Sequence, residues 1–333
     1  MTVVVVGAGS WGTAVAAMLA ERTPTTLWAR RPELAAAIAG DNRNPDYLPG
    51  VALPAALSAT ADLETAVSGS DVLVMAVPSH GYREVLTAAR PHVTPNAPVL
   101  SLSKGVEQST LMRMTEVTAD VLTEHDPDRI GVLTGPNLAR EIVAGQPAAA
   151  VIAMRDVATA AALQSLFMSA TFRAYTNPDV VGAESAGALK NVMAIAAGMA
   201  DGLGFGLNSL ATLITRALAE MTRLGVAMGG RPETFAGLAG MGDLIATCMS
   251  SQSRNHQVGH GLGSGLLLDD IISQMNMVAE GVKSTKGILA LAERHGIEMP
   301  IAEQVGLVLY EDRPVAAAIA ALMGRQARSE IER

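Results

Sequence analysis

The fold class that the sequence predicts is α/β, and two observations predict it. A run of four valines leads into a GxGxxG motif and an alanine-rich helix, and apolar strands then alternate with helices as far as residue 177. Beyond residue 177 only helical periodicities and glycine-rich breaks remain. This order predicts an N-terminal Rossmann domain with a mostly parallel sheet over residues 1–178 and an all-helical C-terminal domain over residues 179–333.

The first twenty residues carry no charged side chain and predict a strand, a tight turn and a helix that ends near Glu21. In such a unit Gly7 makes the turn, Gly9 lets the backbone approach a pyrophosphate, and Gly12 lets the helix and strand pack closely. The helix N-terminus then faces the phosphates. A signal peptide and a membrane span are the alternatives, but no Lys or Arg precedes the apolar run and the glycines interrupt it.

The second strand, in TTLWARRPE, ends at Arg30 and Arg31. At this place NAD-specific sites have an acidic residue that accepts a hydrogen bond from the ribose 2'-hydroxyl, whereas arginine accommodates a 2'-phosphate. The sequence therefore favours NADPH over NADH as the cofactor. The alternative is a pair of solvated arginines in front of a helix that begins at Pro32.

Three later apolar segments, DVLVMAVPSH, PVLSLSKG and RIGVLTGPN, predict parallel strands that are buried on both faces. Ligands of such sheets lie beyond the carboxyl ends of the strands, so we expect Pro78, Lys104 and residues 135–137 along one edge. Lys104 comes directly after its apolar strand, a position that a need for solubility explains poorly and that suggests a functional lysine. A solvated lysine in a loop is the alternative.

Two weaker signals complete the first half. Residues 41–61 are rich in Pro, Asn and Gly and predict a long connection, of the kind that is functional or mobile. AAAVIAM and TFRAYT predict two further strands around a helix at about residues 156–170. The alternation of strands and helices ends there.

The second half opens with a predicted helix of small residues, VGAESAGALKNVMAIAAGMADG, which contains Lys190. Small side chains indicate burial, and burial lowers the pKa of a lysine toward the range of a general base. A lysine that reaches solvent from the edge of the helix is the alternative.

The segment GLAGMGDLIATCMSSQSRNHQVG predicts a ligand loop that contains Asp243. Ser253 would cap a helix beginning at Arg254, which would direct backbone donors and a guanidinium at one anion. A plain polar loop that binds no ligand is the alternative. Two later segments, KSTKGILALAERHGI and VAAAIAALMG, predict packing helices, and MNMVAEGV predicts a turn.

Composition excludes several classes of function. A net charge of -8 and a pI near 5.3 leave no basic face for nucleic acid. Cys248 is the single cysteine, so no internal disulfide can form, and the cytoplasm is the expected location. The sequence shows no neighbouring base that would activate Cys248 as a nucleophile. His256 and His260 have the spacing of a metal pair but lack a third ligand, so we expect no metal. No membrane span is expected.

Eight segments stand out in the order GAGSWGTA, NPDYLPG, SLSKG, TGPNLAREI, ALKNVMAIAAG, GLAGMGDLIATC, SQSRNHQVG and VAEGVKS. In this order they resemble the motifs of the bacterial NAD(P)-dependent sn-glycerol-3-phosphate dehydrogenase family. The resemblance implies a Rossmann domain, a helical domain and a homodimer. It also implies reduction of dihydroxyacetone phosphate to sn-glycerol 3-phosphate, which supplies the backbone of phospholipids.

The same resemblance implies roles for particular residues. Besides the three glycines, the implied dinucleotide contacts are Ser10, Trp11, Arg30, Arg31, Lys104, Ala139, Arg254, Val278 and Glu280. The implied substrate contacts are Lys104, Gly135, Asn137, Lys190, Asp243, Ser253, Arg254 and Asn255. Lys190 would be the acid and base, with Lys104 and Asp243 assisting it. Asn137 stands where the family also has Ser or Thr, so its contact is through either side chain or backbone.

Three other functions remain as alternatives. A β-hydroxyacid dehydrogenase also joins a Rossmann domain to helices, but its asparagine follows the lysine by a turn, whereas Asn191 is adjacent to Lys190. A sugar-nucleotide dehydrogenase needs a cysteine context that Cys248 lacks. A non-catalytic NAD(P)-binding sensor gives no reason for Lys104, Lys190 and Arg254 together.

Overall fold

The computed structural model describes residues 1–275, 279–327 and 329–330. Its first half is built on one sheet of eight strands. The strands are β1 (Val3–Val6), β2 (Thr25–Trp28), β3 (Leu57–Thr60), β4 (Val72–Met75), β5 (Val99–Ser101), β6 (Ile130–Thr134), β7 (Ala148–Ala153) and β8 (Phe172–Asn177).

The order of strands across the sheet is β3-β2-β1-β4-β5-β6-β7-β8. Neighbouring strands are parallel except β6 and β7, so β7 and β8 run opposite to the other six. The four valines of β1 are buried, and Val3 lies between Thr25 and Val72. The mostly parallel sheet that the sequence predicted is confirmed, and the carboxyl ends of the first six strands share one edge.

Helices cover both faces of this sheet. Those of the first half are α1 (Ser10–Ala20), α2 (Pro32–Asp41), α3 (Leu63–Val67), α4 (Tyr82–Ala89), α5 (Met114–Val121), α6 (Ala139–Val143) and α7 (Val157–Phe167). The strand, turn and helix predicted for the first twenty residues are confirmed. Across the part of the chain that the structure describes, no helix combines the length and apolar character needed to cross a bilayer.

The described part of the second half is helical, as predicted. Its helices are α8 (Val180–Gly202), α9 (Leu207–Ala227), α10 (Pro232–Ala236), α11 (Asp243–Met249), α12 (Arg254–Gly263), α13 (Leu268–Ser273), α14 (Glu280–His295), α15 (Pro300–Tyr310) and α16 (Val315–Met323). Helix α14 begins earlier than the sequence indicated, so part of the predicted turn MNMVAEGV is its first turn. Residues 276–278 of that turn lie outside the described residues.

Two sequence interpretations need correction. The predicted connection 41–61 contains strand β3, which gives a weak signal because it is a four-residue edge strand with one buried and three partly or fully exposed residues. The predicted ligand loop 237–259 is mostly helical, formed by a π-helical turn (Leu238–Gly242), α11 and the start of α12.

Close packing of α8 against α12 explains why this glycine-rich segment is helical. A Cβ on Gly259 would collide with the carbonyl oxygen of Ile195, and one on Gly198 would collide with that of His256. The glycines are therefore needed where two helix backbones touch, and tertiary packing overrides their low helix propensity. The glycine-rich composition that indicated a loop is therefore required for the contact between α8 and α12.

A buried ion pair fixes α8 against the sheet. Glu184 on α8 accepts a hydrogen bond of 2.8 Å from Arg113 and another of 2.9 Å from the backbone N–H of Thr115, at the start of α5. Glu184 is 3% exposed, and burial raises the pKa of its carboxyl while Arg113 lowers it. Removing one partner of a buried ion pair leaves an uncompensated charge and destabilises the fold. The contact between Arg113 and Glu184 therefore stabilises the packing of the second half on the first.

The packing of α8 on α12 gives a test of stability. Gly198→Ala should lower the free energy of unfolding by about 1–3 kcal/mol, because the added methyl meets backbone atoms that cannot move aside. Gly40→Ala is the matched control, since Gly40 is helical, exposed and has open space at its Cβ; it should raise stability by about 0.4–1 kcal/mol. Urea unfolding measures both. Equal stability of the two variants would contradict the tight crossing.

Candidate active site

The glycine turn at the end of β1 has the shape that a dinucleotide needs. Gly7 has a φ of 119°, and a Cβ there would lie 2.6 Å from the carbonyl oxygen of Ala76. A Cβ on Gly12 would collide with the carbonyl oxygen of Gly7. Gly9, in contrast, has open space around its missing side chain and precedes α1, whose N-terminus no side chain caps. The turn therefore leaves helix donors accessible to an anion, as in a pyrophosphate site.

One buried carboxylate joins the two lysines that the sequence singled out. Nζ of Lys190 donates to Oδ1 of Asp243 at 2.5 Å, and Nζ of Lys104 donates to Oδ2 of the same residue at 2.6 Å. Asp243 is 1% exposed and Lys190 is 6% exposed. Lys104 also donates to the carbonyl oxygen of Gly135 at 3.2 Å. The structure thus brings the edge of the sheet and helices α8 and α11 to one cluster.

Local sequence explains how each member reaches this cluster. Lys104 follows β5, and its side chain passes Gly187 of α8, where a Cβ would lie 3.6 Å from its Cγ. Asp243 is the first residue of α11 and follows the π-helical turn, a distortion that is frequent at functional sites. The neighbour that a side chain at position 187 would crowd is the Thr134 hydroxyl, whose Oγ1 would lie 3.0 Å from a Cβ there, and the sequence did not reveal this contact.

The surroundings of Lys190 lower the pKa of its ammonium group. Burial and the nearby Lys104 lower the pKa of Lys190 and Asp243 raises it, and the net result is a pKa of about 8. Near neutral pH the group is therefore mostly an ammonium that loses its proton more readily than an ordinary lysine. The predicted burial of Lys190, its lowered pKa and its contact with Asp243 are confirmed.

Thr247 is a member of the cluster that lies in the predicted ligand loop but to which the sequence assigned no role. Its hydroxyl accepts a hydrogen bond of 2.6 Å from Nζ of Lys190 and lies 2.6 Å from the carbonyl oxygen of Asp243, to which it donates. The spacing of four residues between Asp243 and Thr247 on one helix is the signal that could have found it. Thr247 fixes the direction of the Lys190 ammonium.

A chain of side-chain amides runs beside the lysines. Nδ2 of Asn191 donates to the carbonyl oxygen of Lys104 at 3.2 Å, and Nδ2 of Asn255 donates to Oδ1 of Asn191 at 3.0 Å. Oδ1 of Asn255 accepts from the N–H of Gly281 at 2.9 Å. Asn255, predicted as a substrate contact, therefore also ties α8, α12 and α14 together.

The predicted anion end of the site is built on α12. The Ser253 hydroxyl caps this helix by accepting from the N–H of His256 at 3.3 Å, and Arg254 is the exposed first residue. Glu280, at the start of α14, accepts from the N–H of Ser79 at 3.4 Å. Burial raises the pKa of Glu280, while Arg254 and the two lysines lower it. The predicted serine cap is confirmed.

Unpaired polar atoms point to a ligand at the same edge. Among the described residues, Nε1 of Trp11, Oγ1 of Thr134 and both side-chain polar atoms of Asn137 are buried without a hydrogen-bond partner. A buried polar group without a partner is costly, and a bound molecule is one way to satisfy it. Trp11 and Asn137 are both sequence-predicted contacts, for the dinucleotide and the substrate respectively.

The remaining predicted cofactor residues that the structure describes lie near the glycine turn and the sheet edge. Arg30 and Arg31 follow β2 on the surface, and Ala139 begins α6 after β6. Arg31 forms an ion pair with Asp46, a contact that the sequence did not predict. Val278 lies outside the described residues.

Two family models match most of the chain. The model of the N-terminus of NAD-dependent glycerol-3-phosphate dehydrogenase matches residues 2–160, and that of the C-terminus matches residues 179–320. The chain belongs to the NAD-dependent glycerol-3-phosphate dehydrogenase family. The family resemblance of the eight segments is therefore confirmed.

Individual relatives agree with this membership. The chain is 60% identical to a glycerol-3-phosphate dehydrogenase of Sphingopyxis alaskensis over 299 residues, which are 90% of this chain and 89% of that one. It is 51% identical over 330 residues to that of Thermobifida fusca, with 98% of each chain covered. The crystal structure of the Coxiella burnetii glycerol-3-phosphate dehydrogenase matches with a TM-score of 0.93 and 36% identity, covering 97% of this chain and 99% of that one.

Proposed function

We propose that this member of the glycerol-3-phosphate dehydrogenase family interconverts dihydroxyacetone phosphate and sn-glycerol 3-phosphate with NADPH or NADH, and so supplies the backbone of phospholipids. The observation that carries the proposal is the buried Lys104–Asp243–Lys190 cluster at the edge of the sheet to which the glycine turn belongs. When bound, the reduced dinucleotide supplies a hydride. The chain's own residues must then polarise a carbonyl and move one proton.

Proton transfer is the proposed role of Lys190. In reduction its ammonium donates a proton to the carbonyl oxygen at C2, and in oxidation its neutral amine takes the proton from the hydroxyl. A pKa of about 8 leaves both forms accessible near neutral pH. Lys104, which faces the same carboxylate, polarises the carbonyl, and Asp243 holds both lysines in place.

The proposed substrate site extends from these lysines to the start of α12. Arg254 and the backbone donors behind the Ser253 cap bind the phosphate, and Asn255 supports them. Gly135 and Asn137 line the sheet edge between the phosphate and the reacting carbon. Anchoring the phosphate fixes the position of the carbonyl relative to Lys190. The unpaired amide of Asn137 supports a contact through its side chain.

The proposed dinucleotide site begins at the three glycines and spreads along the same edge. The other residues that we assign to it are Ser10, Trp11, Arg30, Arg31, Lys104, Ala139, Arg254, Val278 and Glu280. The open space at Gly9 and the uncapped N-terminus of α1 support the pyrophosphate position. Arginine at the end of β2 supports the use of NADPH.

We also propose a division into domains at residues 178 and 179, a homodimer and a cytoplasmic location. The division is supported by the end of β8 at Asn177 and the start of α8 at Val180. The dimer is supported by an apolar groove of about 1510 Å³ between α9, α15 and α16, beside the exposed Met323. The molar mass in solution decides the oligomeric state.

The experiment that tests the function compares two substrates. Purified protein should oxidise NADPH with dihydroxyacetone phosphate and be slower with unphosphorylated dihydroxyacetone by roughly a hundredfold or more, because the second substrate lacks the anchor. Loss of the nicotinamide absorbance measures the rate. Lys190→Met should keep dinucleotide binding and lose about 10²-fold or more in turnover. Dinucleotide binding without turnover in the unmodified chain would instead indicate a sensor.

The charges around Lys190 predict opposite pH shifts for two variants. Reduction needs the ammonium, so kcat/KM should fall as pH rises through about 8. Lys104→Gln removes a cation that lowers the pKa of Lys190, so the fall should move to higher pH. Asp243→Asn removes an anion that raises this pKa, so the fall should move to lower pH. Shifts in the same direction would contradict the assignment of Lys190.

The phosphate anchor predicts a loss of substrate affinity when Arg254 is removed. Arg254→Ala should raise the KM for dihydroxyacetone phosphate about tenfold or more, since it removes a charged hydrogen-bond donor. Arg155→Ala is the matched control, because Arg155 is exposed and follows β7 at the opposite edge of the sheet. Steady-state kinetics measure both variants. Equal KM values for the two variants would remove Arg254 from the phosphate site.

A further inference from the structure

The two arginines at the end of β2 have different surroundings. Nη2 of Arg31 forms an ion pair with Oδ2 of Asp46, and both side chains are 44% exposed. Its guanidinium also lies 5.9 Å from the centre of the Tyr47 ring. Arg30, in contrast, has no ion-pair partner among the described residues. Of the two groups that would read a 2'-phosphate, one is therefore already engaged by an acid of the chain.

Asp46 is held in place by its neighbours. Asn44 is fully buried, and its Nδ2 donates to the carbonyl oxygen of Ala8 at 2.9 Å and to the Thr13 hydroxyl at 2.8 Å. Its Oδ1 accepts from the N–H of Tyr47 at 3.0 Å. The connection that contains Asp46 is thus fastened to the glycine turn and to α1, and Asp46 has a defined position beside Arg31.

A second contact ties the same connection to the dinucleotide site. The Ser10 hydroxyl, at the start of α1, donates to the carbonyl oxygen of Tyr47 at 2.8 Å. The long connection after α2, expected from its composition to be functional or mobile, is anchored at this end. Its acidic residue is presented at the place where dinucleotide-binding folds distinguish a 2'-phosphate from a 2'-hydroxyl.

We propose that Asp46 is a specificity-determining residue, which competes with the 2'-phosphate of NADPH for the Arg31 guanidinium and so reduces the preference for NADPH over NADH. Binding of NADPH must break or share the Arg31–Asp46 pair, whereas binding of NADH leaves it intact. The inference rests on the proposed dinucleotide site. The Arg31 guanidinium and the Asp46 carboxylate, which touch each other, thus have opposite effects on NADPH binding.

The size of the effect follows from exposure. An ion pair between half-exposed side chains is screened by water and salt, so its loss changes an equilibrium by only a few fold. Asp46→Asn, which keeps the shape and removes the charge, should therefore raise the ratio of kcat/KM for NADPH to that for NADH by about two- to fivefold. The Kd for NADPH should fall by the same factor.

The control variant is Glu33→Gln. Glu33 is the other carboxylate near Arg31, at 3.8 Å, and is 70% exposed. Its removal should change the selectivity ratio less than Asp46→Asn does. A ratio that stays the same or falls in Asp46→Asn would overturn the proposal, as would an equal rise in both variants, which would indicate a general charge effect.

A double-mutant cycle tests whether Asp46 acts through Arg31. In an Arg31→Ala background, Asp46→Asn should give little or no gain in NADPH affinity. An undiminished gain would mean that Asp46 repels the phosphate directly, and the competition would be wrong. Dinucleotide fluorescence measures NADPH affinity without a triose substrate, so these outcomes do not depend on the substrate assay. Failure of the proposed function would appear in that assay, as absent turnover in the unmodified chain.

Discussion

The shared Asp243 carboxylate is the constraint on which the site depends. Two lysine ammonium groups that approach within hydrogen-bond distance of one buried carboxylate repel each other and lose hydration, and only the anion between them makes this favourable. The same anion keeps Lys190 mostly protonated although burial opposes its charge. Because Lys104 belongs to the sheet edge and Lys190 to α8, the electrostatic cluster also joins the two halves of the chain.

Packing of α8 follows from this constraint. A helix that brings Lys190 to the sheet edge must lie against the sheet on one side and against α12 on another, and small residues make both approaches possible. Gly187 lets α8 come close to the Thr134 hydroxyl at the end of β6, and Gly198 lets the backbone of α12 come close. The ion pair of Glu184 with Arg113 fixes the same helix at its other end. Small residues on α8 therefore allow the close contacts that place Lys190 at the edge of the sheet.

Sequence predicted those features whose cause is local. The glycine turn, the serine cap at Ser253 and a lysine directly after a buried strand each depend on neighbouring residues. Features produced by distant contacts were not predictable: glycines that serve helix crossing resembled a loop, and edge strand β3 has too little burial to show a pattern. The engagement of Arg31 by Asp46 is of the same kind, since fifteen residues separate them and only the fold brings them together.

Cofactor selectivity and proton transfer lie in different dielectric surroundings, and this difference decides how each responds to change. The groups that would read the 2'-phosphate are on the surface, where water and salt limit any single charge to a severalfold effect. Lys190 and Asp243 are buried, so removing the Asp243 carboxylate leaves the Lys190 ammonium without compensation, whereas removing Lys190 leaves Asp243 paired with Lys104. Under the proposed assignments, one surface substitution would adjust the choice of dinucleotide without loss of the fold, whereas a change of charge at the reaction centre would alter the pKa on which proton transfer depends.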